Sequence, residues 1–483
     1  MIKIKPFIFT IFLTLFPFNL YGEIEDGIKL RLDEQLKING ERYGVVGQSV
    51  IILKNDKPYY DGREGFSNIE FEIPVENGNL FPSYSVTKLF TSTLIMQLVD
   101  QEQLDVKQSI KFYLPYLPDN WKSITIEHVL NHTSGIPRYF DIAMRKNSFL
   151  NTKKDVFLSL IDEPEHFKIG TTNRYNNTNY LILSEILETV TGKTYQQLIK
   201  EKIIDQLELK NTGHASAKTV IDKMVTSYQG RDGEVRRNID IDWPIYTFSH
   251  SALYSTPLDL TTFMTALANG DLVSDVFKYW QPMNLVNGRS GSYAFGFEYA
   301  EEDGYIRVGH DGGNRVKLRH YFSKNSGKDT YTIAYLTNGN SYNVWTDVLT
   351  DSLMSIVSPD QFKKAVLNEK FMEQVLLGDK GNLEIVYEKA FNYFNHNHCD
   401  TERFLNNYSY AIRFGAGNQP ALEAFSFVTM KYPRSANAWD NLGGAWLLQN
   451  DKEMAIKFYR KALEVDPKWV NATIQIRKLV NPE

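Results

Sequence analysis

The chain contains one cysteine, Cys399, among its 483 residues. A disulfide framework within the chain is therefore excluded, and the lack of any cysteine near the N-terminus excludes a lipoprotein anchor. Dense basic runs are also lacking, since 53 Lys and Arg stand against 58 Asp and Glu and the formal net charge is -5. Phosphate backbones need a basic stripe, so we expect no nucleic-acid partner.

Apolar and charged residues, by contrast, are present in ordinary amounts. Hydrophobic residues make up 42% of the chain and charged residues 23%, which is typical of a soluble globular protein. The length exceeds the roughly 100–200 residues of a usual domain, so we expect one large domain and one smaller domain.

The N-terminal segment has the pattern of a secretory signal peptide. Lys3 and Lys5 precede an apolar run over residues 6–18, and polar residues follow from Asn19. We expect cleavage near Gly22, a periplasmic or secreted protein, and no stable membrane insertion once residues 1–22 are removed. An uncleaved anchor is the alternative, although the run is shorter than the roughly 20 residues that span a bilayer.

Strand patterns lie at both ends of a long helical segment. Four β-rich runs predict strands, at residues 49–53, 305–308, 316–322 and 330–336. Helical periodicity dominates from 81 to 270, and a further helix is predicted over 344–357. This order predicts an α+β fold, in which one antiparallel sheet carries an inserted helical subdomain and a cleft lies between the two.

Two helix ends are predicted from local signals. Apolar residues recur every four positions from Ile24 to Leu36, so a helix is predicted there with its end at Asn39-Gly40. A second helix, which includes Tyr180 and Val190, is predicted to be capped by Gly192.

The C-terminal part has no strand pattern, so we expect a first domain over 23–359 and an all-α domain over 360–483. Its residues match the roughly 34-residue tetratricopeptide repeat at Trp439, Leu442, Gly443, Trp446, Ala455, Tyr459, Ala462 and Pro467. A degenerate copy precedes it at Ala421, Phe425 and Pro433. Such repeats are stable only when stacked, so helices over 361–395 are expected to complete or cap the array. A plain helical bundle is the alternative.

Ser85 and Lys88 form the only S-x-x-K in the chain, at the start of an apolar helical segment. Residues three apart share a helix face, so the Lys88 amine can reach the Ser85 hydroxyl. A serine hydroxyl needs such a neighbouring base to act as a nucleophile. The alternative is an ordinary surface turn of helix.

Tyr175 and Asn177 are predicted to lie at a loop-to-helix junction. Side chains two apart in a loop can point the same way. A phenol whose pKa is lowered by a nearby ammonium could transfer a proton, and the Asn177 amide could bind a substrate carbonyl. The same pattern at Tyr393 and Asn395 shows that Y-x-N alone is weak evidence.

His310, Asp311, Gly312 and Gly313 follow a predicted strand and contain the only H-x-G in the chain. Two glycines let a ligand approach the backbone, so an N–H here could pair with the Ser85 N–H as an oxyanion hole. A plain glycine turn between strands is the alternative.

In order and context these three patches resemble the active-site motifs of the class C β-lactamase and penicillin-binding-protein superfamily. That group also contains esterases and D-amino-acid peptidases. Residues 124–137, 254–260 and 295–297 match the family as well, and the resemblance covers about 23–359. It implies a β-lactamase/transpeptidase-like domain.

The resemblance also implies a role for each matched residue. Ser85 is the implied nucleophile, Lys88 its paired amine, Tyr175 the catalytic tyrosine, and Asn177, His310, Gly312 and Gly313 the substrate-binding set, with Gly313 donating the second oxyanion N–H. No cofactor is implied. His128 and His132 are read as structural, and the group around His396, His398 and Cys399 as a solvated loop, so no metal is expected.

The third motif departs from the family at its first position. Class C β-lactamases have Lys there, whereas this chain has His310. An imidazole carries little charge at neutral pH, so the substrate carboxylate would be bound more weakly. The departure favours esters or small D-amino-acid peptides over β-lactams, unless Arg315, Lys317 or Arg319 supplies the charge.

The leading hypothesis is acyl transfer from a small peptide, ester or β-lactam substrate through an acyl-Ser85 intermediate. The helical repeats would bind a protein partner or a second copy of the chain. The alternative is a catalytically slow penicillin-binding or sensor protein whose repeats carry the function, and a purely structural role is a third reading.

Overall fold

The computed structural model describes residues 26–216, 218–238, 243–325 and 327–481. The predicted signal peptide, 1–22, lies outside the described residues. Within the described part of the chain, no helix combines the length and apolarity that a membrane crossing requires.

The first helix, α1 (Asp26–Tyr43), runs through Asn39-Gly40, where the sequence predicted its end. That prediction was wrong because Asn39 is fully buried and donates from Nδ2 to Ser352 Oγ at 3.2 Å. A tertiary contact therefore holds a residue of low helix propensity inside the helix. The chain turns instead at Gly44, which has a φ of 61°.

A long hairpin follows, made of β1 (Val45–Lys54) and β2 (Lys57–Asn68). Asn55 and Asp56 connect the strands with φ values of 51° and 61°. Both residues adopt the left-handed conformation that a two-residue hairpin turn requires. A short strand, β3 (Ile73–Pro74), pairs with β2 at the sheet edge.

The middle of the chain is mainly helical, as predicted. Its elements are β4 (Phe81–Pro82), a 3₁₀ turn (Tyr84–Val86), α2 (Thr87–Asp100), α3 (Ile110–Tyr113), α4 (Ile126–Leu130), α5 (Tyr139–Lys146), α6 (Lys153–Ser159), α7 (Asn177–Thr191), α8 (Tyr195–Ile199), β5 (Gly213–His214), β6 (Tyr228–Arg231), β7 (Glu234–Arg237), α9 (Phe248–Ser251), β8 (Leu253–Ser255) and α10 (Pro257–Ala268). Asn176 caps α7 by accepting the Thr178 N–H at 2.9 Å. Gly192 ends α7 with a φ of 70°, which confirms the predicted cap.

The chain then returns to the sheet through β9 (Tyr293–Ala294), β10 (Phe297–Glu302), β11 (Tyr305–Asp311), β12 (Lys317–Phe322) and β13 (Tyr331–Asn340), and α11 (Thr346–Val357) follows. The sheet has eight strands in the order β3-β2-β1-β13-β12-β11-β10-β9. Its neighbouring strands are antiparallel, and β1 meets β13 with Val50 opposite Tyr335. The expected sheet assembled from both ends of the domain is therefore present.

Strand β13 shows how the sheet divides two cores, because alternate residues face opposite sides. Ala334 and Leu336 join the core formed with the middle helices. Tyr331, Ile333 and Tyr335 join a second core, formed with α1, α11 and the helices beyond. The strand is buried along its whole length and belongs to both cores.

The remaining chain is helical: α12 (Lys363–Leu377), α13 (Lys380–Tyr393), α14 (His398–Ala416), α15 (Asn418–Lys431), α16 (Ala436–Leu448), α17 (Lys452–Val465) and α18 (Val470–Val480). A Cβ added to Gly443 on α16 would lie 2.9 Å from the ring of Tyr459 on α17, so this position needs a glycine. The helical character is as expected, whereas the assignment to tetratricopeptide repeats and the boundary at 359 stay predictions.

Candidate active site

Ser85 lies in the 3₁₀ turn that leads into α2, as its motif predicted. Tyr84 precedes it with a φ of 45°, a left-handed conformation that is uncommon for a residue with a side chain. The Ser83 N–H donates to the Leu253 carbonyl at 2.7 Å and fixes the start of the turn. The half-buried Ser85 side chain is thus held at the N-terminal end of a buried helix.

Lys88 lies one turn further on and is fully buried. Its Nζ is 3.2 Å from Ser85 Oγ and donates to the His250 carbonyl at 2.9 Å. It also lies 4.8 Å from the ring centre of Tyr175. Burial holds the pKa of the Lys88 amine well below its usual value, and only the charge of Glu298 opposes this shift. A neutral amine beside a serine hydroxyl can accept its proton.

Tyr175 completes this group, with its Oη donating to Ser85 Oγ at 2.7 Å. The sequence suggested a phenol with a lowered pKa, but burial raises the pKa of Tyr175 well above its usual value. The hydroxyl therefore stays protonated and acts as a hydrogen-bond and proton donor. The structure therefore places both Lys88 Nζ and Tyr175 Oη within hydrogen-bond reach of Ser85 Oγ.

His132 packs against the ring of Tyr175, a role that the sequence did not predict for it. The ring is fully buried and lies 5.0 Å from the Tyr175 ring, centre to centre. Its Nδ1 is 3.2 Å from the Asn176 N–H and 3.0 Å from Asn179 Nδ2, so it accepts from both. Burial and the neighbouring Lys88 hold the pKa of His132 well below its usual value. A neutral imidazole therefore fixes the segment that carries Tyr175.

Asn177 is the first residue of α7 rather than a loop residue. Its Oδ1 atom is buried and has no hydrogen-bond partner within the described residues. A buried acceptor without a partner is costly unless a ligand supplies a donor. Asn177 is therefore available to a substrate N–H, or to a substrate carbonyl through its amide group.

His310 lies within β11, which extends three residues beyond its predicted end. The ring is 2% exposed and lies 5.7 Å from the Tyr175 ring. Its Nδ1 donates to the Asp311 carbonyl at 2.5 Å, whereas Nε2 is buried and has no partner in the described part of the chain. Burial and then Lys88 lower the pKa of His310 to about 3. The third motif therefore presents a neutral imidazole.

The two glycines after it pack against the nucleophile turn. A Cβ on Gly312 would lie 2.7 Å from the Ser83 carbonyl oxygen, and a Cβ on Gly313 would lie 3.0 Å from the Tyr84 ring. The Gly312 N–H already donates to the Val316 carbonyl at 2.8 Å. Gly313 begins a 3₁₀ turn, which does not use its N–H. Close approach explains Gly312, and Gly313 retains an N–H donor beside Tyr84, in the turn that carries Ser85.

The three cations that follow the third motif are all engaged. Lys317 is fully buried and pairs with Asp347 and, at 3.3 Å, with Asp311. Arg319 is 2% exposed and pairs with Glu298 and with Asp311. Arg315 donates to Asn343. Lys317 and Arg319 are therefore neutralised by carboxylates. Arg315 makes no ion pair with a carboxylate among the described residues, and its Nε is buried without a partner there, so the question that the sequence left open remains for Arg315.

His128, which lies outside this group, has an ordinary partner. His128 Nδ1 is 2.8 Å from the Thr125 hydroxyl that caps α4. Cys399 is exposed at the start of α14. Across the described ranges, no three His, Cys, Asp or Glu side chains are grouped so as to hold a metal ion.

Comparison with known proteins relates the chain to one family. The sequence model of the Beta-lactamase family matches residues 31–351. Protein flp of Staphylococcus aureus (strain MW2) is 24% identical over 234 residues, which is 47% of this chain and 45% of that protein. The chain thus matches less than half the length of that relative.

Solved structures show the same fold. A penicillin-binding protein from Bacillus halodurans superposes with a TM-score of 0.54 at 24% identity, over 67% of this chain and 98% of its own. The D-amino acid amidase from Ochrobactrum anthropi SV3 complexed with D-phenylalanine superposes with a TM-score of 0.55 at 20% identity, over 71% and 98%. At these identities the likeness establishes the fold alone.

Proposed function

The chain belongs to the Beta-lactamase family, a family of serine hydrolases, and from that premise we propose that it is a hydrolase whose nucleophile is Ser85. The observation that carries the proposal is the contact at Ser85 Oγ, with Lys88 Nζ at 3.2 Å and Tyr175 Oη at 2.7 Å. A serine hydroxyl becomes a useful nucleophile only beside a base, and a buried neutral amine meets that need.

In the proposed acylation step, Ser85 Oγ attacks the acyl carbon while its proton passes to the neutral Nζ of Lys88. The bond to the leaving group then breaks, the leaving group takes a proton from Tyr175 Oη, and Lys88 returns a proton to Tyr175. Water attacks the acyl-Ser85 by the same route, so that a carboxylic acid is released and Ser85 is restored.

The negative charge that develops on the substrate oxygen needs two donors. The N–H groups of Ser85 and Gly313 are suited to this role because both residues lie in short 3₁₀ turns on segments that pack together, with Gly313 against Tyr84. Fixed backbone donors in a site that excludes water typically contribute several kcal/mol, about 3–4 per donor, to the transition state.

The charges around His310 support a substrate without a carboxylate. His310 is neutral, and Arg319 and Lys317 are paired with carboxylates. A substrate carboxylate would therefore lose its water without gaining a cation from these strands. Arg315, in the turn after the third motif, is the one of the three cations that is not paired with a carboxylate among the described residues, and it already donates to Asn343. We infer that the substrate is a neutral ester or amide, such as a capped D-amino-acid derivative, rather than a β-lactam or a free peptide C-terminus.

Two further calls stay proposals. A secreted or periplasmic location is supported by the charged and apolar pattern of residues 1–22. A protein partner, or a second copy of the chain, bound by the C-terminal helices would suit their repeat-like sequence.

Hydrolysis is expected to decline as the pH falls through the pKa of Lys88, since only the neutral amine accepts the Ser85 proton. Because that pKa is lowered, activity should persist at neutral pH, and the raised pKa of Tyr175 should keep the rate level into the mildly alkaline range. The measurement is kcat/KM against pH on a neutral ester. Lys88→Arg, which stays charged at every pH tested, should be inactive throughout, and wild-type rates in that variant would exclude Lys88 as the base.

The function itself is tested by intact-protein mass spectrometry and turnover on two matched esters. We expect a fluorophosphonate adduct on Ser85, turnover of p-nitrophenyl butyrate, and kcat/KM at least about tenfold lower for p-nitrophenyl succinate, whose acyl group carries a carboxylate. Absence of an adduct would reject the hydrolase. A lasting penicillin adduct without turnover would favour the slow penicillin-binding or sensor protein instead.

A further inference from the structure

Three neighbouring strands bring Glu298, Gly309 and Arg319 into one row. Glu298 on β10 is opposite Gly309 on β11, which is opposite Arg319 on β12. Gly309 has a φ of 143°, and a Cβ there would lie 2.0 Å from the Leu318 carbonyl oxygen. The middle position of the row therefore has no side chain, and the Arg319 guanidinium bonds the Glu298 carboxylate across it.

Arg319 also reaches the third motif directly. It donates from Nη2 to Asp311 Oδ1 at 2.5 Å, and the Asp311 carbonyl accepts the His310 Nδ1–H. Lys317 Nζ also lies 3.3 Å from the same oxygen, Asp311 Oδ1. Asp311 directly precedes Gly312 and Gly313, so these two cations fix the backbone that carries the proposed oxyanion donor.

Glu298 in turn lies close to the reacting groups. Its Oε1 is 3.6 Å from His310 Nδ1, and its charge acts on both Lys88 and Tyr175. The other titratable groups that surround Lys88 are Tyr175, Tyr180, His132, His250 and His310. Glu298 is the carboxylate whose charge acts on Lys88, and Arg319 is its hydrogen-bonded partner.

We propose that Arg319 is a positioning residue for acylation, which aligns the His310–Gly313 segment through Asp311 and screens the Glu298 carboxylate from Lys88. This inference rests on the proposed function of Ser85 and Lys88. Arg319, a buried arginine outside the three motifs, thus controls both the geometry of the third motif and the charge environment of Lys88.

The two roles predict a shift of the pH profile with a definite sign. Removal of the Arg319 cation leaves Glu298 unscreened, which stabilises the Lys88 ammonium and raises its pKa. The decline of kcat/KM on the acid side of the pH profile, its acid limb, should then move to higher pH by about one unit. Removal of the Glu298 charge has the opposite effect, so Glu298→Gln should move the limb to lower pH.

The experiment compares Arg319→Met, Arg319→Lys and Glu298→Gln on a neutral ester. We expect Arg319→Met to lower kcat about 10- to 100-fold, as misplaced catalytic groups do, and to raise the acid limb. Arg319→Lys should recover part of both effects. Arg307→Met is the matched control, since Arg307 is a cation on β11 that pairs with Asp347 at 3.1 Å and does not contact the third motif.

Arg307→Met should lose stability without moving the limb. The inference would be overturned if folded Arg319→Met kept the wild-type kcat and the wild-type acid limb of kcat/KM. It would also be overturned if Arg307→Met shifted the acid limb as far as Arg319→Met does. If Arg319→Met does not fold, Glu298→Gln decides, because a limb that stays or moves upward contradicts the screening role. A wild-type protein without Ser85-dependent turnover would overturn the proposed function, and this inference with it.

Discussion

Replacement of Ser85 by Ala is expected to lower kcat on a neutral ester by about 10⁴-fold or more, with folding unchanged. The hydroxyl is the atom on which Lys88 Nζ and Tyr175 Oη converge, at 3.2 and 2.7 Å. Residues that act as a unit are not additive in their effects. Lys88→Met in the Ser85→Ala background should therefore add little to the loss.

Ser83 offers a matched control for this variant. Its hydroxyl lies two residues before Ser85, is buried, and has no hydrogen-bond partner among the described residues. Ser83→Ala should therefore keep wild-type turnover and unfold at the same temperature or slightly higher, because a buried polar group without a partner is removed. Near-wild-type rates in Ser85→Ala, or an equal loss in Ser83→Ala, would show that Ser85 is not the nucleophile.

The reacting groups could be predicted because short-range rules place them. Helix spacing alone brings Lys88 beneath Ser85, and both residues lie on α2 and its leading turn. Tyr175 is more distant in sequence, and it was found through the resemblance rather than through geometry. Its support by His132 was missed, although the matched stretch 124–137 contains that residue.

Electrostatics could not be predicted to the same depth. From the sequence, Lys317 and Arg319 were possible substitutes for a lysine at the third motif. Their carboxylate partners come from β10, β11 and α11, and strand register decides which of them meet. Glu298 directly follows the family stretch 295–297, and that position was the available signal. Burial then sets which groups are neutral, and burial follows from the whole fold.

The boundary at 359 was predicted where the strand pattern ends, but the apolar core does not end there. The core on the outer face of the sheet continues from α1 and α11 into the helices from α12 onward. Phe362 stacks on Tyr305 of the sheet with ring centres 5.4 Å apart. Arg42 of α1 pairs with Glu369 of α12 at 2.6 Å, and Asn368 donates to Asp351 of α11 at 2.8 Å. The order of helix and strand patterns in the sequence does not reveal that the later helices pack against α1, α11 and the sheet.

A chain that ends at 359 is therefore expected to aggregate or to lose cooperative unfolding and ester turnover. The truncation exposes the apolar faces of α1 and α11, which Phe371, Met372 and Val375 of α12 help to cover. Exposed patches of this kind favour association. Soluble yield, thermal unfolding and turnover are the measurements.

A chain that ends at Pro467 is the control for this truncation. It loses α18, whose one buried residue is Ala472 and which joins the small core shared by α16 and α17. It also loses the hydrogen bond that Asn471 donates to Asp440 at 2.7 Å. Solubility and turnover should be retained. A soluble chain ending at 359 with wild-type turnover would instead establish two independent domains, and the C-terminal helices would then be a separate module attached to a complete hydrolase. If the chain ending at 359 loses solubility and turnover while the chain ending at Pro467 keeps both, α12 and its neighbours belong to the folding unit that positions Ser85.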